Sequence, residues 1–391
     1  MSKNNCAKFN TLLVHAGEKP DLVTGAVAPV LVRSKTFAQA DFGGDPPFQY
    51  SRGSNPTRNK LEEKLAALEG GGEATVFGSG VAALASFFLT LNRGDHILFC
   101  QEVYGGTFRL IDKLLSRFGL EADFVDFTSE RNIKRYIKPN TKYLFIETPT
   151  NPSFNIIDLK LVKRVSAETG IPYAADMTFA PPCTTKVLDY GAETVIQSLS
   201  KYIAGHNDVL GGAVITKNKE LHEQLKFMQR TLGAVLSPDE CYRILQGVKT
   251  LALRFNYVSQ SAQTVAEFLA EQPAVEKVLY PGLPNHPGYY LAEQQMTSGF
   301  GGVLSFTLRE RKFSKLKKFV DQVRQSGCII YGESLASPET IIAYPPLMSH
   351  KSLPEVVRLS LDITDGFFRL SLGFEDTQDI ISALKSGLEV L

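Results

Sequence analysis

Short apolar segments alternate with helical segments between residues 56 and 216, and this alternation restricts the fold more than any other feature of the chain. Pro56 is well placed to begin a helix, and Gly70-Gly71-Gly72 ends the leucine spacing that follows it. Strands are predicted at Ala74–Phe77, His96–Cys100, Phe124–Phe127, Tyr143–Ile146, Tyr173–Ala175, Val195–Ser198 and Ala213–Thr216. This order predicts an α/β fold with a mostly parallel sheet that helices cover on both faces.

The pattern changes near residue 250. A long helix is predicted over Leu251–Leu269, followed by a loop-rich segment at 271–287 and by strands near 302–307, 327–331 and 368–371. We therefore expect an extended N-terminal arm at 1–58, a large domain at 59–250 and a smaller C-terminal α/β domain at 251–391.

Composition and net charge limit the classes of protein to which this chain can belong. The 391 residues are enough for a large core, and the net charge of +1 gives no electrostatic footprint for nucleic acid or an anionic membrane. No apolar run is long enough to span a membrane. The five cysteines are scattered and form no CxxC pair, so we expect reduced thiols and a cytoplasmic protein. The six histidines lack an HExxH-type pairing, which argues against a protein metal site.

The segment 197–206 carries a chemically suggestive lysine. Lys201 follows Ser198 and Ser200, and the predicted strand Tyr173–Ala175 leads directly into Asp176. A pyridoxal phosphate enzyme needs a lysine for the Schiff base, a carboxylate that keeps the pyridine nitrogen protonated, and small donors around a phosphate. Taken alone, Lys201 could equally be a surface lysine and Asp176 a residue that caps a turn.

A glycine turn supplies a second part of such a site. Gly78-Ser79-Gly80-Val81 lies between a predicted strand and a predicted helix. Backbone N–H groups at a helix N-terminus can bind a phosphate. A plain strand-to-helix turn explains the same residues when they are considered in isolation.

Several motifs together resemble one family along nearly the whole chain. They occur in the family's order and rough spacing, and comprise Tyr50-Ser51-Arg52, Asn55-Pro56-Thr57, Gly78-Ser79-Gly80, Tyr104-Gly105-Gly106-Thr107, Glu147-Thr148-Pro149, the 197–206 segment and Arg369-Leu370-Ser371. They are similar to those of the Cys/Met-metabolism pyridoxal phosphate enzymes, which include cystathionine γ-synthases, γ-lyases and β-lyases. The resemblance implies the type I fold of the aspartate aminotransferase kind and pyridoxal 5'-phosphate as cofactor.

The resemblance also assigns expected roles to individual residues. Lys201 and Tyr104 are expected to be catalytic, with the tyrosine stacked on the cofactor ring. The expected cofactor-binding residues are Lys201, Asp176, Ser198, Ser200, Gly80, Val81, Tyr104, Tyr50, Arg52 and Asn151. The expected substrate-binding residues are Arg369, which would clamp the α-carboxylate, with Ser334, Glu333, Asn151 and Tyr50. Tyr50 and Arg52 would reach the site of a neighbouring subunit, which implies a homodimer with shared active sites and a tetramer built from two of them.

The sequence constrains the type of reaction less than it constrains the fold and the cofactor. Glu333-Ser334-Leu335 resembles the sequence in cystathionine γ-synthases and γ-lyases, where the glutamate faces the substrate's distal amino group. Gly106 stands where methionine γ-lyases carry a cysteine, which argues against methionine as the main substrate. We therefore expect an enzyme that cleaves or forms the C–S bond of L-cystathionine by γ-type chemistry. Cystathionine β-lyase, O-acetylhomoserine sulfhydrylase and a catalytically silent binding subunit are the alternatives.

Three departures from the family pattern lie close to these motifs. Phe108 replaces an asparagine, Met177 replaces an asparagine beside Asp176, and Ala336-Ser337-Pro338 replaces a glycine-rich run. Phe108 and the 336–338 run suggest a specialised substrate, whereas Met177 suggests a change in the fine shape of the pocket.

Overall fold

The computed structural model describes residues 8–348, 358–359 and 362–391. Its strands are β1 (Glu73–Phe77), β2 (His96–Cys100), β3 (Glu121–Val125), β4 (Thr141–Glu147), β5 (Tyr173–Asp176), β6 (Thr194–Ser198), β7 (Gly212–Thr216), β8 (Val275–Leu279), β9 (Val303–Leu308), β10 (Ile329–Tyr331), β11 (Thr340–Ala343) and β12 (Phe367–Ser371). Within these ranges no helix has the length and apolar character that a membrane crossing requires.

The α-helices lie mostly between these strands. They are α1 (Phe9–His15), α2 (Pro56–Leu68), α3 (Gly80–Phe88), α4 (Gly105–Arg109), α5 (Glu130–Arg135), α6 (Leu159–Thr169), α7 (Lys219–Leu232), α8 (Pro238–Val248), α9 (Leu251–Ala270), α10 (Tyr289–Gln295), α11 (Phe313–Gln325) and α12 (Thr377–Leu388). Asn55 caps α2 through its side chain, with Pro56 in the first turn, as the sequence predicts.

The larger sheet has seven strands in the order β1-β7-β6-β5-β4-β2-β3. Its central pairs are parallel, and β7 alone among the seven runs antiparallel to its neighbours β1 and β6. The prediction of a mostly parallel sheet is therefore confirmed. Strand β3 begins and ends a few residues before the predicted Phe124–Phe127, because its outer half is only partly buried and lacks a continuous apolar run.

The smaller sheet has five strands in the order β10-β11-β12-β9-β8. Strands β9, β10 and β12 match the predicted ones, but β8 lies inside the segment expected to be loop-rich, and β11 was not predicted. Strand β8 exposes Glu276 and Lys277 between buried Val275 and Leu279. Strand β11 is short and lies between Pro338 and Pro345-Pro346, and prolines in such a segment indicate a loop. The division of the chain at residues 58 and 250 stays a prediction.

Helix α9 joins the two sheets. Phe255 and Val258 in its first half belong to the core around the larger sheet, whereas Ala262 and Val265 in its second half belong to the core around the smaller one. This single continuous helix sets the position of β12, and hence of Arg369, relative to the ends of the large sheet.

Parts of the described N-terminal arm are attached to this body, and other parts are exposed. Helix α1 was not predicted; its seven residues are too few for a helical period to emerge. Beyond it, Glu18 forms salt bridges with Lys64 of α2 at 2.6 Å and with Lys249 at 2.7 Å. Leu22 and Phe42, by contrast, are fully exposed. A substantial apolar part of the arm is therefore in contact with solvent in the isolated chain.

Candidate active site

A cavity of about 550 Å³ opens at the carboxyl ends of the parallel strands. Glu147, Asp176 and Ser198 end β4, β5 and β6, and all three line it. The N-terminus of α3 lies on the same edge. Open α/β sheets characteristically bind ligands at this position, because the loops that leave the strand ends surround a crevice.

One end of the cavity suits a phosphate. Gly80 and Val81 begin α3, where backbone N–H groups lack intrahelical acceptors. A Cβ at Gly80 would lie 3.1 Å from Cβ and Oγ of Ser198, so the glycine allows the serine to approach the helix end closely. Ser200 Oγ accepts a hydrogen bond from the Gly211 N–H at 2.9 Å. Two hydroxyls and two amide groups therefore surround this end of the cavity.

Lys201 lies in the turn after β6. Its ammonium group donates a hydrogen bond to Ser334 Oγ at 3.0 Å. Burial and the nearby Arg369 charge lower the pKa of Lys201 to about 8, although Glu333 acts in the opposite direction. The environment therefore shifts the equilibrium toward the neutral amine, the form that attacks a carbonyl.

Asp176 is held by the hydroxyl and the backbone of Thr178. Both donate to Asp176 Oδ1, at 2.6 Å from Oγ1 and 3.0 Å from N, which leaves Oδ2 for a group within the cavity. Burial raises the pKa of Asp176, whereas the two bonds from Thr178 lower it. The same hydroxyl oxygen accepts from the Ser198 N–H at 3.0 Å, so Thr178 links the ends of β5 and β6.

Arg369 projects into the cavity from β12. Its Nη1 donates to Asn151 Oδ1 and its Nη2 to the Ser334 carbonyl, each at 3.0 Å. Its buried Nε has no partner in the described part of the chain. A buried guanidinium with an unused N–H is costly unless a ligand completes it, and its planar fork matches a carboxylate.

Ser334 adopts an unusual backbone conformation over the cavity. Its φ of 111° lies outside the regions that non-glycine residues normally occupy, at a cost of order 1–3 kcal/mol. The Arg369 bond to its carbonyl and the Lys201 bond to its hydroxyl hold it there. Strain of this kind is concentrated at functional sites.

Tyr104 stands at the N-terminus of α4 with its ring folded over Gly106. A Cβ at Gly106 would lie only 2.3 Å from Tyr104 Cε1, so this ring position requires glycine. Burial raises the pKa of Tyr104, and its hydroxyl therefore stays protonated at neutral pH. Gly106 therefore leaves room for the Tyr104 ring, a role that the comparison of this position with methionine γ-lyases does not indicate.

Charged groups of both signs line the rest of the cavity. Glu333 lies beside Ser334, and Arg109 projects from the end of α4. Sequence analysis selected Glu333 but missed Arg109, as well as Glu147 and Thr178. Glu147 directly follows the predicted strand Tyr143–Ile146, as Asp176 follows Tyr173–Ala175, and this parallel placement is a usable signal. Nothing local in the sequence distinguishes Arg109 from a surface arginine.

The cavity brings together all the predicted site residues except two. Its lining includes Gly80, Val81, Tyr104, Asn151, Asp176, Ser198, Ser200, Lys201, Glu333, Ser334 and Arg369. Tyr50 and Arg52 do not line it. Arg52 Nη1 donates to the Arg230 carbonyl at 2.8 Å, its guanidinium lies 5.5 Å from the centre of the Tyr50 ring, and Tyr50 is 46% exposed.

The departures from the family pattern lie outside this lining. Phe108 packs on Phe124 with ring centres 5.2 Å apart, and Met177 is fully buried in the core. The Pro338 carbonyl accepts the Phe374 N–H at 2.7 Å. These placements give no support to the expectation of a specialised substrate.

The residues present fit pyridoxal phosphate. The phosphate-sized end of the cavity has amide and hydroxyl donors, Lys201 has a depressed pKa, and Asp176 directs Oδ2 to the cavity. The Nε of Arg369, which has no partner among the described residues, is suited to the carboxylate of an amino acid.

Comparison with known proteins agrees with this geometry. The family model for Cys/Met metabolism PLP-dependent enzyme matches residues 10–389. The chain is 43% identical to cystathionine beta-lyase MetC of Bacillus subtilis, over 97% of this chain and 96% of that protein. It is 40% identical to the cystathionine gamma-lyase of the same organism, over 98% and 99%.

A solved structure extends the likeness to the whole fold. The cystathionine gamma-lyase of Lactobacillus plantarum, complexed with L-serine, superposes with a TM-score of 0.93 and 38% identity, covering 98% of this chain and 99% of that one. The type I fold expected from the sequence is confirmed. The chain belongs to the Cys/Met-metabolism family of enzymes, whose cofactor is pyridoxal 5'-phosphate.

Proposed function

We propose that this enzyme cleaves or forms the C–S bond of L-cystathionine by γ-lyase or γ-synthase chemistry. The observation that carries the proposal is that Arg369, Glu333 and Arg109 line the same cavity. Cystathionine has an α-carboxylate at one end and both an ammonium and a carboxylate at the other. Arg369 matches the first, Glu333 the distal ammonium and Arg109 the distal carboxylate.

Arg369 binds and orients the amino-acid end. Its contacts with Asn151 and the Ser334 carbonyl fix the guanidinium plane, and the α-carboxylate supplies the acceptor that Nε lacks. Because this arginine is buried, the pairing takes place away from water and is correspondingly strong.

Lys201 and Tyr104 move the protons. When bound, pyridoxal phosphate supplies an electron sink for the carbanion at the substrate's Cα, provided that Asp176 keeps its ring nitrogen protonated. The lowered pKa of Lys201, about 8, makes its neutral form accessible near neutral pH, and in that form Nζ accepts the Cα proton and can carry it further along the substrate. The Tyr104 hydroxyl, protonated at neutral pH, can donate to the departing sulfur.

Cystathionine β-lyase is the second candidate. The support for it is the 43% identity to a cystathionine beta-lyase over almost the whole of both chains. The two reactions use the same binding groups at the two ends of one substrate. They differ in whether a further proton is taken from Cβ before the sulfur leaves.

The proposed active assembly is a homodimer with shared sites, two of which form a tetramer. Tyr50 and Arg52 support it, since they are exposed and lie outside the cavity of their own chain. In a two-fold assembly the same arm from the partner can reach the phosphate end.

We also propose a cytoplasmic location, which the unpaired Cys100, Cys183, Cys241 and Cys328 support.

Product analysis tests the proposed reaction. Cofactor-loaded enzyme is incubated with L-cystathionine, and cysteine with 2-oxobutyrate and ammonia is expected. Homocysteine with pyruvate and ammonia would establish the β-lyase instead. Absence of any cystathionine turnover, under conditions where the bound cofactor absorbs normally, would reject both lyase reactions and direct the assay to γ-replacement on an O-acyl homoserine such as O-acetylhomoserine.

Substitution of Glu333 tests the proposed basis of recognition. Glu333→Gln should raise the KM for cystathionine by about 10-fold, which corresponds to the loss of one charge-assisted contact. The matched substrate is one without a distal amine, such as O-acetylhomoserine or a simple alkyl cysteine, whose KM should change little. Equal increases for both substrates would remove Glu333 from recognition of the distal ammonium.

A further inference from the structure

Glu147 connects the two segments that carry Tyr104 and Asn151. It is the last residue of β4 and only 4% exposed. Its Oε2 accepts the Tyr104 N–H at 2.6 Å, and its Oε1 accepts the Asn151 N–H at 3.2 Å. One carboxyl group therefore holds the main chain of both residues.

Each of these residues has a second fixed contact. The Tyr104 ring rests on Gly106, where even a Cβ would lie 2.3 Å from the ring. The Asn151 side chain accepts the bond from Arg369 at 3.0 Å. If the main chain moved at Tyr104 or Asn151, the tyrosine ring or the Arg369 guanidinium would therefore move with it.

We propose that Glu147 is a positioning residue for the cofactor and substrate: by holding two backbone N–H groups, it fixes the Tyr104 ring and the amide that orients Arg369. Glu147 lines the cavity, but both of its carboxyl oxygens accept main-chain N–H groups, so it acts through Tyr104 and Asn151. The inference rests on the cofactor site of the proposed function but not on which bond is cleaved.

The neighbouring acid is consistent with this role. Glu147 and Asp176 are paired residues in the adjacent parallel strands β4 and β5. Burial and the charge of Asp176 raise the pKa of Glu147 well above its usual range. Burial raises the pKa of Asp176 as well, but the two hydrogen bonds from Thr178 lower it, so the two neighbouring acids are held by different donors.

Glu147→Gln is the primary test. The amide has nearly the same size and no charge, but offers one acceptor oxygen in place of two, so either Tyr104 or Asn151 loses its anchor. The first readout is the visible circular dichroism of the bound cofactor, recorded without substrate, because it reports the surroundings of the ring. Melting temperature, kcat and KM complete the set.

Two further variants serve as matched controls. Gly106→Ala pushes the Tyr104 ring aside without changing Glu147, and so shows how a displaced ring alters the spectrum. Glu102→Gln changes another carboxylate near the same loop. Glu102 accepts hydrogen bonds from Thr150 Oγ1 at 2.5 Å and Asn155 Nδ2 at 2.9 Å, but does not line the cavity.

The expected results distinguish a positioning role of Glu147 from a role in protein stability alone. Glu147→Gln and Gly106→Ala should both alter the dichroism band, and Glu147→Gln should lower kcat by about 100-fold, a typical effect of misplacing a catalytic group by 1 Å. Glu102→Gln should leave the band unchanged. A Glu147→Gln enzyme with the parent dichroism would overturn the proposal, even if its melting temperature fell.

A shorter acid provides a second test if the amide variant does not fold. Glu147→Asp keeps both oxygens but withdraws them from the two N–H groups, and the same change of dichroism is expected. Parent dichroism in Glu147→Asp would contradict the proposal in the same way. The spectroscopic readout involves no substrate, so it succeeds or fails independently of the product analysis.

Discussion

Lys201 illustrates how a single residue can acquire its chemistry from its surroundings. Its pKa is lowered from 10.5 to about 8 by burial and by the nearby Arg369 charge. The neutral amine reacts with the cofactor aldehyde, whereas the ammonium does not. The protonation of this residue therefore limits how fast the apoenzyme takes up pyridoxal phosphate.

We expect the uptake rate to rise with pH and to level off above about 8. Below that midpoint the neutral fraction, and with it the rate, should fall about tenfold per pH unit. Arg369→Met removes a charge that lowers the Lys201 pKa, so it should move the midpoint upward. Glu333→Gln removes a charge that raises it and should move the midpoint downward. Stopped-flow absorbance of apoenzyme mixed with cofactor measures both shifts.

A midpoint near 10.5 in the parent apoenzyme would contradict the depressed pKa. Lys201→Ala is the control for chemistry at this amine. It should bind the cofactor without the spectrum of the lysine adduct and should have no measurable turnover.

Individual site residues differ in how far the sequence alone could identify them. Lys201 and Asp176 have a chemical role that their neighbours in sequence already suggest. The contact between Arg369 and Asn151 joins residues 218 positions apart, and no local pattern encodes such a distance. It could be expected only from resemblance to a family, because the packing of two separate sheets brings the residues together.

At the scale of elements, buried parallel strands were the easiest to predict. Strands β2, β4, β5 and β6 are covered on both faces and read as continuous apolar runs. Strand β8 has two exposed charges, and β11 is flanked by Pro338 and Pro345-Pro346, so the local sequence of each indicates a loop. Their positions depend on pairing with β9 and β12, which is a tertiary effect.

The ends of β5 and β6 depend on one hydroxyl. Thr178 Oγ1 donates to Asp176 at 2.6 Å and accepts from the Ser198 N–H at 3.0 Å. Thr178→Val keeps the shape but removes both bonds, which should raise the Asp176 pKa further and weaken its pairing with the pyridine nitrogen. Loss of such buried bonds costs about 1–3 kcal/mol, so cofactor affinity should fall on the order of 10- to 100-fold.

Equilibrium titration of apoenzyme with pyridoxal phosphate measures this effect, and Thr178→Ser is the matched control because it retains the hydroxyl. A raised Asp176 pKa means that the carboxylate is lost at a higher pH. The defect of Thr178→Val should therefore grow as the pH is lowered. Equal dissociation constants for the valine and serine variants would show that the hydroxyl does not support Asp176.

For the whole molecule, the isolated chain leaves its predicted site incomplete. The Arg52 guanidinium lies over the Tyr50 ring and donates to the Arg230 carbonyl, and neither residue lines the cavity. Exposed Leu22 and Phe42 on the same arm are apolar side chains that a partner could cover. The sequence motif indicates these residues, but their contact with a second chain cannot follow from the packing of one chain.

Complementation between two inactive variants tests the shared site. Arg52→Ala and Lys201→Ala should each have little or no activity alone. In a mixed dimer, one site combines intact Lys201 from one chain with intact Arg52 from the other, while the second site lacks both. Random pairing gives half mixed dimers with one good site in two, so co-expression should restore about a quarter of parent activity.

The control places both substitutions in one chain and co-expresses it with the parent enzyme. Each site of that mixed dimer lacks one of the two residues, so the mixed dimer should be inactive, and only parent dimers should contribute. If each site were built within one chain, the two single variants would remain inactive together, and the doubly substituted chain would leave its parent partner fully active. A shared site therefore predicts activity when the two single variants are co-expressed, whereas separate sites predict none. The reason is that only a shared site lets residues on different chains complete each other.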